Sequence, residues 1–328
     1  MRVALVFAIL VAALLVAAAA GIFIGSVAIS PSDVVGAIFG SDSTSGTIIR
    51  DLRLPRVLGA ALVGAALAAA GAMLQGLLRN PLADPFVTGT SAGASLGAVI
   101  AVALGASAIF VPLASFAGAT FAIVIVWRLA RLGGRTTVLT VLLAGVVLTS
   151  FTGGLVTLIL VSSDRLALRL RAVLGWLQGG VSVLSWNELA VAGFVVFVGI
   201  AGALILAPRI DAYAFGEETA AALGIDLERT TAAVLATTAL LTGAAVSIAG
   251  LIGFVGLVVP HALRFLIGAT HRRLVLLSLP AGAAALVLAD LGARTLIPPA
   301  ELPVGVITGL VGAPFFLVLL VRSRQVIV

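Results

Sequence analysis

The chain is predicted to be an all-α polytopic membrane protein of ten transmembrane helices, on three observations. Of its 328 residues, 62% are hydrophobic and only 10% charged, against about a quarter charged in an ordinary soluble domain. Its mean hydropathy is +1.29. Several apolar runs exceed the roughly 20 residues that cross a bilayer as a helix. No polar linker interrupts the sequence, so residues 1–328 read as a single transmembrane domain.

Hydropathy and helix breakers place the ten helices near 3–25, 54–78, 92–106, 108–130, 137–161, 189–207, 229–248, 252–267, 274–296 and 304–322. The third and eighth are short or interrupted by glycine. The first begins like a signal sequence, with Arg2 and then an apolar run. That run reaches about Ile29, long for a signal core, so a retained span is expected. The segments 30–40 and 164–177 read as short helices lying at the surface.

Charge gives the topology. All 19 basic residues are arginine, and the net charge is +6. With both termini in the cytoplasm, Arg50, Arg53, Arg56, Arg165, Arg169, Arg171 and Arg294 fall outside and the other twelve inside. This asymmetry follows the positive-inside rule and needs no nucleic-acid partner. The chain has no cysteine, which removes disulfides, thiolate metal sites and Cys nucleophiles. It has no GxxxxGK[ST] phosphate loop and no His–carboxylate metal cluster. His261 is read as structural rather than as a metal ligand. An enzyme is not expected, and any energy has to be borrowed.

An internal echo is visible. GAALAAAGAMLQGLLRNP (64–81) laid on GAAVSIAGLIGFVGLVVP (243–260) pairs Gly64 with Gly243, Gly71 with Gly250 and Pro81 with Pro260. By helix parity the two copies run in opposite directions, so helices 2–5 and 7–10 are expected to form an inverted repeat, a common transporter device.

The stretch RNPLADPFVTGTSAGASLGA (79–98) is polar and hostile to helix. Pro81 and Pro85 end the second helix, and Gly89, Ser91, Gly93, Ala94 and Gly97 open the third with little bulk. Two readings stand: a tight turn followed by a packing face, or a turn at the mouth of a pathway, where irregular backbone is tolerated. Near the opposite end, Asp290 and Arg294 share a helix face at i,i+4 spacing and are expected to pair. Residues 211–230 form the longest polar segment of the inner face, with a short helix expected to end near Gly224. Tyr213, Trp127, Trp176 and Trp186 read as interfacial.

Several motifs together resemble one family. RLPR (53–56), GAMLQGLLRNPLADP (71–85), GTSAGA (89–94), GFVGLVVPHALR (253–264) and ADLGARTLIPPAELPVGVITGLVGAPFF (289–316) look like permease subunits of binding-protein-dependent ABC importers for ferric siderophores, haem and cobalamin. The resemblance implies a homodimer in the bacterial inner membrane, two cytoplasmic ATP-binding subunits, and a periplasmic or lipid-anchored substrate-binding protein. ATP and magnesium would sit on the partner subunits, with no cofactor on this chain. It implies docking of binding-protein glutamates on Arg53, Arg56 and Arg294. It implies a coupling segment at about 211–228, with Glu217, Glu218, Ala220, Leu223 and Gly224 entering the ATPase groove. It implies a cytoplasmic gate at Asn80, Pro81 and Leu82, while Val138 and Leu139 stand where relatives often carry small polar residues. Two other classes remain open. An ion-coupled secondary transporter would use Asp290, the one convincing acid inside a span. A structural membrane protein would leave the polar segment 211–228 unexplained.

Overall fold

The computed structural model describes residues 2–25, 29–38, 43–81, 83–86, 88–107, 110–131, 138–162, 175–181, 185–213, 215–268, 270–297 and 300–324. Leu82 of the expected gate, Thr136, Thr137 and residues 164–174 of the second expected surface helix (164–177) lie outside the described residues, as do the side chains of Val138 and Glu217.

Among the described residues the structure is helical. In chain order it comprises α1 (Arg2–Phe23), α2 (Pro31–Ile38), α3 (Thr44–Thr47), a π-helical stretch (Ile48–Arg53), α4 (Leu54–Leu77), α5 (Thr90–Ala103), α6 (Phe110–Ala130), α7 (Val138–Ser162), α8 (Trp186–Tyr213), α9 (Glu217–Ala222), α10 (Leu227–Ala249), α11 (Val255–Ile267), α12 (His271–Thr295) and α13 (Val304–Arg324). Among the described residues, seven helices are long and apolar enough to cross a membrane, and three further apolar helices are shorter. The expected surface helix at 30–40 is present as α2.

Two expected boundaries are corrected. The second helix does not start at residue 54: α3 and the π-helical stretch run into it without a break from Thr44. The sixth does not stop before Pro208 but continues through it to Tyr213. Tyr213 is not interfacial either. It is buried, and its hydroxyl donates to the Leu227 carbonyl at 2.8 Å, joining the end of α8 to the start of α10.

The bundle is built around α4. Its apolar window is 78% buried, against 6% for α1, so α4 is the axis and α1 a peripheral helix. Lipid is as apolar as leucine, so α4 is held by close packing rather than by escape from water. Its run of Ala and Gly serves that purpose. A Cβ at Gly64 would collide with the Gly282 carbonyl of α12, and one at Gly282 with Gly64. Gly93 and Gly97 of α5 meet Gly118 and Ala114 of α6 in the same way, so the small residues after Gly89 form a packing face.

The helix pairings repeat. α4 packs on α12, α5 on α6, α4 on α11, α5 on α7 and α6 on α7. Exchanging α4–α7 for α10–α13 turns these into α10 on α6, α11 on α12, α10 on α5, α11 on α13 and α12 on α13, all of which are present. Gly64 and Gly243, partners in the sequence echo, occupy matching places: Gly64 lies against α12, and Gly243 against Phe116 and Ala119 of α6. Local structure departs from the echo at Gly71/Gly250 and again at Pro81/Pro260, where Pro81 follows the end of α4 and Pro260 lies inside α11. α4 stays helical through Gly71, whereas α10 ends at Gly250 (φ 63°) before α11 begins.

Candidate functional site

Clusters of charged side chains lie at the two ends of this bundle. At the first end, the N-terminal part of α4 meets the C-terminal part of α12 and the C-terminus of α1. Arg53 is only 6% exposed, and its Nη1 donates to the carbonyls of Ile22 at 2.6 Å and Phe23 at 3.1 Å. These are carbonyls that a helix leaves open at its C-terminus, where the helix dipole favours a cation. Arg294 Nη2 adds a bond to the Gly21 carbonyl at 3.3 Å.

Asp290 lies between the other two guanidinium groups. Its Oδ1 accepts from Arg56 Nε at 3.1 Å, and its Oδ2 lies 3.0 Å from Arg294 Nε. The second contact is an ion pair without hydrogen-bond geometry, since Arg294 Nε makes no hydrogen bond. The carboxylate is 1% exposed, and a buried charge of this kind persists only when paired. Arg56 reaches outward as well, donating through Nη2 to Glu301 Oε2 at 2.9 Å. Glu301 is 58% exposed and was not singled out by the sequence. The partners are 245 positions apart, with no local signal to join them. Thus Arg53, Arg56, Arg294 and Asp290 do come together, with every guanidinium turned onto an internal acceptor.

The other end holds the turn after α4 and the segment after α8. The turn forms as a Schellman closure: Arg79 N–H donates to Gly76 O at 3.2 Å and Asn80 N–H to Gln75 O at 3.1 Å. The left-handed residue of such a closure is normally glycine, and here it is Arg79 (φ 45°). Pro81 follows and cannot continue the helix. Asp84 is nearly buried, accepting from the Phe86 N–H at 2.8 Å. Among the described residues it has no ion-pair partner, and burial pushes its carboxyl up to about 6. The hydroxyls of Thr88 and Thr90 both donate to the Pro85 carbonyl, at 2.7 and 2.6 Å, closing the turn.

Beyond α8, the six-residue α9 carries Glu218 and Ala220; Leu223 and Gly224 close it. Gly224 (φ 79°) is the left-handed residue of a second Schellman closure, with Gly224 N–H to Ala221 O at 2.9 Å and Ile225 N–H to Ala220 O at 3.1 Å. Ala220 is buried while Phe215 and Leu223 are 75% and 68% exposed. The segment therefore presents two large apolar side chains to its surroundings. Asp226 caps α10 by accepting from the Arg229 N–H at 3.0 Å.

Sequence reasoning missed a third group at this end. Asp211 Oδ1 accepts from the His271 backbone N–H at 2.7 Å and lies 2.8 Å from His271 Nδ1. His271 Nε2 faces Arg264 Nη2 at 3.1 Å. A separation of 60 residues between Asp211 and His271 hides the contact from any local pattern.

These features first define a class: a helical, multi-pass membrane protein whose charged clusters lie at its two ends. A model of the FecCD transport family matches residues 10–322. The chain is 44% identical over 289 residues to the cobalamin import system permease BtuC of Halobacterium salinarum, covering 88% of this chain and 77% of that one. It is 38% identical to the iron(3+)-hydroxamate import system permease FhuB of Bacillus subtilis, over 86% of this chain and 73% of the other. A solved structure of a metal-chelate type ABC transporter in an inward-facing conformation superimposes with a TM-score of 0.85 at 29% identity, covering 96% of this chain and 98% of that one. The chain belongs to the FecCD transport family, and it is an ABC importer permease.

Proposed function

We propose that this permease crosses the membrane ten times, works as a homodimer in the bacterial inner membrane, and imports a bulky metal chelate. Cobalamin is the cargo to test first and a ferric siderophore or haem the next, because relatives named for cobalamin and for ferric hydroxamate both resemble the chain over most of its length. Both termini are cytoplasmic, and α4–α7 and α10–α13 form an inverted repeat. The repeated helix pairings support that relation. Two cytoplasmic ATP-binding subunits supply energy, and a periplasmic or lipid-anchored binding protein delivers the cargo.

The observation that carries this reading is the separation of two kinds of surface. Three arginines converge at one end, and a short helix flanked by exposed Phe215 and Leu223 lies at the other. The arginine end docks the binding protein. Arg56 is the best placed of the three, because it already holds one exposed carboxylate, Glu301, that a partner carboxylate can replace. Arg53 and Arg294 support the same surface by fixing the end of α1. Residues 214–225 enter the ATPase groove, with Glu217, Glu218, Ala220, Leu223 and Gly224 shaping the insert. Asn80, Pro81 and Leu82 form the cytoplasmic gate. Exposed apolar faces on α7 (Leu143, Val147, Phe151) and α13 (Leu310, Val311) suit lipid or the second copy.

The secondary-transporter reading loses its main support. Asp290 is committed to Arg56 and Arg294 and is not a free proton carrier. Reconstituting the permease with its ATPase and binding protein in proteoliposomes tests the proposal. ATP-dependent uptake of radiolabelled cobalamin, stimulated by the binding protein, is the expected result. Uptake of a ferric hydroxamate instead would reassign the cargo, and uptake without any ATPase subunit would overturn the importer mechanism.

A further inference from the structure

If α9 couples to the ATPase, its movement has to reach the turn after α4, and the Asp211–His271–Arg264 group lies between them. A guanidinium donates only, so the Arg264 contact makes His271 Nε2 an acceptor. The ring is then neutral, with its proton on Nδ1 and directed to Asp211. A carboxylate that orients an imidazole through Nδ1–H, while Nε2 meets another group, fixes both tautomer and ring plane. The same carboxylate satisfies the first N–H of α12. Asp211 therefore joins the last turn of α8 to α12, and His271 joins α12 to α11.

Both outer members of the group have further contacts at this end. Asp211 stands six residues before Glu217, the first residue of α9, so α9 and the group share one short lever. Arg264 lies on α11, whose His261 stands at the Pro81 backbone and whose Gly256 packs against Pro85, 3.1 Å from the position of a Cβ there. α11 therefore touches the turn at both of its prolines. Gln75 Nε2 of α4 donates to the Gly256 and Leu257 carbonyls at 3.3 and 3.1 Å, binding α11 to the last turns of α4. A Cβ at Gly76 would strike His271 Nε2, so the imidazole fills the space beside the end of α4.

We propose that Asp211, His271 and Arg264 are positioning residues that transmit the displacement of α9 through α11 to the turn at 79–86. The proposal rests on the assignments of α9 to ATPase coupling and of the turn to gating. The group is suited to this because each link is a directional hydrogen bond with one donor and one acceptor. An apolar contact in its place would slide.

This chain has no cysteine, so a thiol introduced into it can be followed on its own band after the subunits are separated. A single Cys at Asn80 (Asn80→Cys) in the complete complex with ATPase subunits and binding protein is labelled by a membrane-impermeant maleimide. Labelling is compared nucleotide-free and with ATP plus vanadate, and ATP hydrolysis is measured on the same sample. In the parent, the labelling rate is expected to change by about fivefold or more between states, the low end of typical allosteric coupling. Arg264→Met keeps the bulk and removes the donor. It is expected to leave ATP hydrolysis near the parent value and to cut the labelling change to less than about twofold. Arg264→Lys, which still donates to Nε2, restores most of the change. A full labelling change in Arg264→Met overturns the relay. If Arg264→Met does not assemble, Asp211→Asn carries the same test: its amide still caps α12 but orients the imidazole less firmly, and an unchanged response overturns the proposal. A parent complex that assembles and hydrolyses ATP without any labelling change would instead remove the gate assignment itself.

Discussion

Asp290 and Asp84 are both nearly buried carboxylates, at opposite ends of one bundle, and their surroundings differ. Asp290 lies between Arg56 and Arg294 and has no unmatched charge. Asp84 has one backbone N–H and, among the described residues, no cation. The first arrangement is a finished ion cluster that holds three helices together. The second is a carboxyl whose environment favours its neutral form, in a turn closed by a non-glycine residue in the left-handed region. One end is pinned by matched charges and the other is not, and the two acids differ in that sense.

The contrast breaks most visibly at Asp290. Asp290→Ala leaves Arg56 and Arg294 facing each other with their shared acceptor gone, and removal of one partner of a buried pair costs roughly 3–5 kcal/mol. Thermal unfolding in detergent should show a large fall in Tm, and an unchanged Tm would mean that the arginines do not depend on this carboxylate.

At the other end the sign reverses. The folded carboxyl of Asp84 titrates at about 6, above its ordinary value of 3.8. The folded state therefore holds the proton more tightly, so stability rises as pH falls from 7 through 6 towards 4 and is lost on the way back. Asp84→Asn keeps an acceptor for the Phe86 N–H and removes the charge. Each pH unit between the folded and unfolded values is worth about 1.4 kcal/mol, so at pH 7.5 the variant should gain on the order of 2–3 kcal/mol. It should also lose the pH dependence. Denaturation midpoints at pH 5 and 7.5 for parent and variant check both statements.

Arg79→Gly sharpens the comparison at smaller scale. Left-handed backbone costs a non-glycine residue roughly 1–2 kcal/mol, so the variant should be stabilised by about 1 kcal/mol, measured against the same parent curve. A loss of stability would mean that the Arg79 side chain contributes more than its backbone costs. The smallest effect belongs to Glu301→Gln. Its ion pair with Arg56 is exposed, and such pairs are worth about 0–1 kcal/mol, so Tm should barely move. Affinity for the binding protein should rise at low salt, because Arg56 Nη2 no longer faces a charged internal competitor, while its Nε stays on Asp290. Weaker binding would assign Glu301 to the docking surface itself.

The elements legible in the sequence were those written in local patterns. Long apolar runs gave the helices, Pro81 and Pro85 gave the end of α4, and i,i+4 spacing gave Asp290 with Arg294. The continuous helix from Thr44 was missed because Arg50, Asp51 and Arg53 look like a loop, yet Arg53 is turned inward onto α1. Pro208 suggested a break, but α8 continues because one missing N–H does not outweigh its packing on α4 and α10. Glu301 and His271 carried no signal at all. Glu301 meets Arg56 across 245 positions and His271 meets Asp211 across 60, and only the fold brings them together.

The seating of α1 has a consequence for how the protein is made. Arg294, one of the groups that hold the end of this helix, lies 273 positions after the Gly21 carbonyl it binds. At about 5–20 residues per second of synthesis, α1 waits roughly 15–55 s in the bilayer before that anchor exists. Its apolar window, with mean hydropathy 3.0, suits it to lipid during that wait, with Arg53 as its earlier anchor. A ribosome stalled before α12 would leave α1 inserted and held only through Arg53 at the Ile22 and Phe23 carbonyls, with the Gly21 carbonyl unmatched and its α12-facing side uncovered.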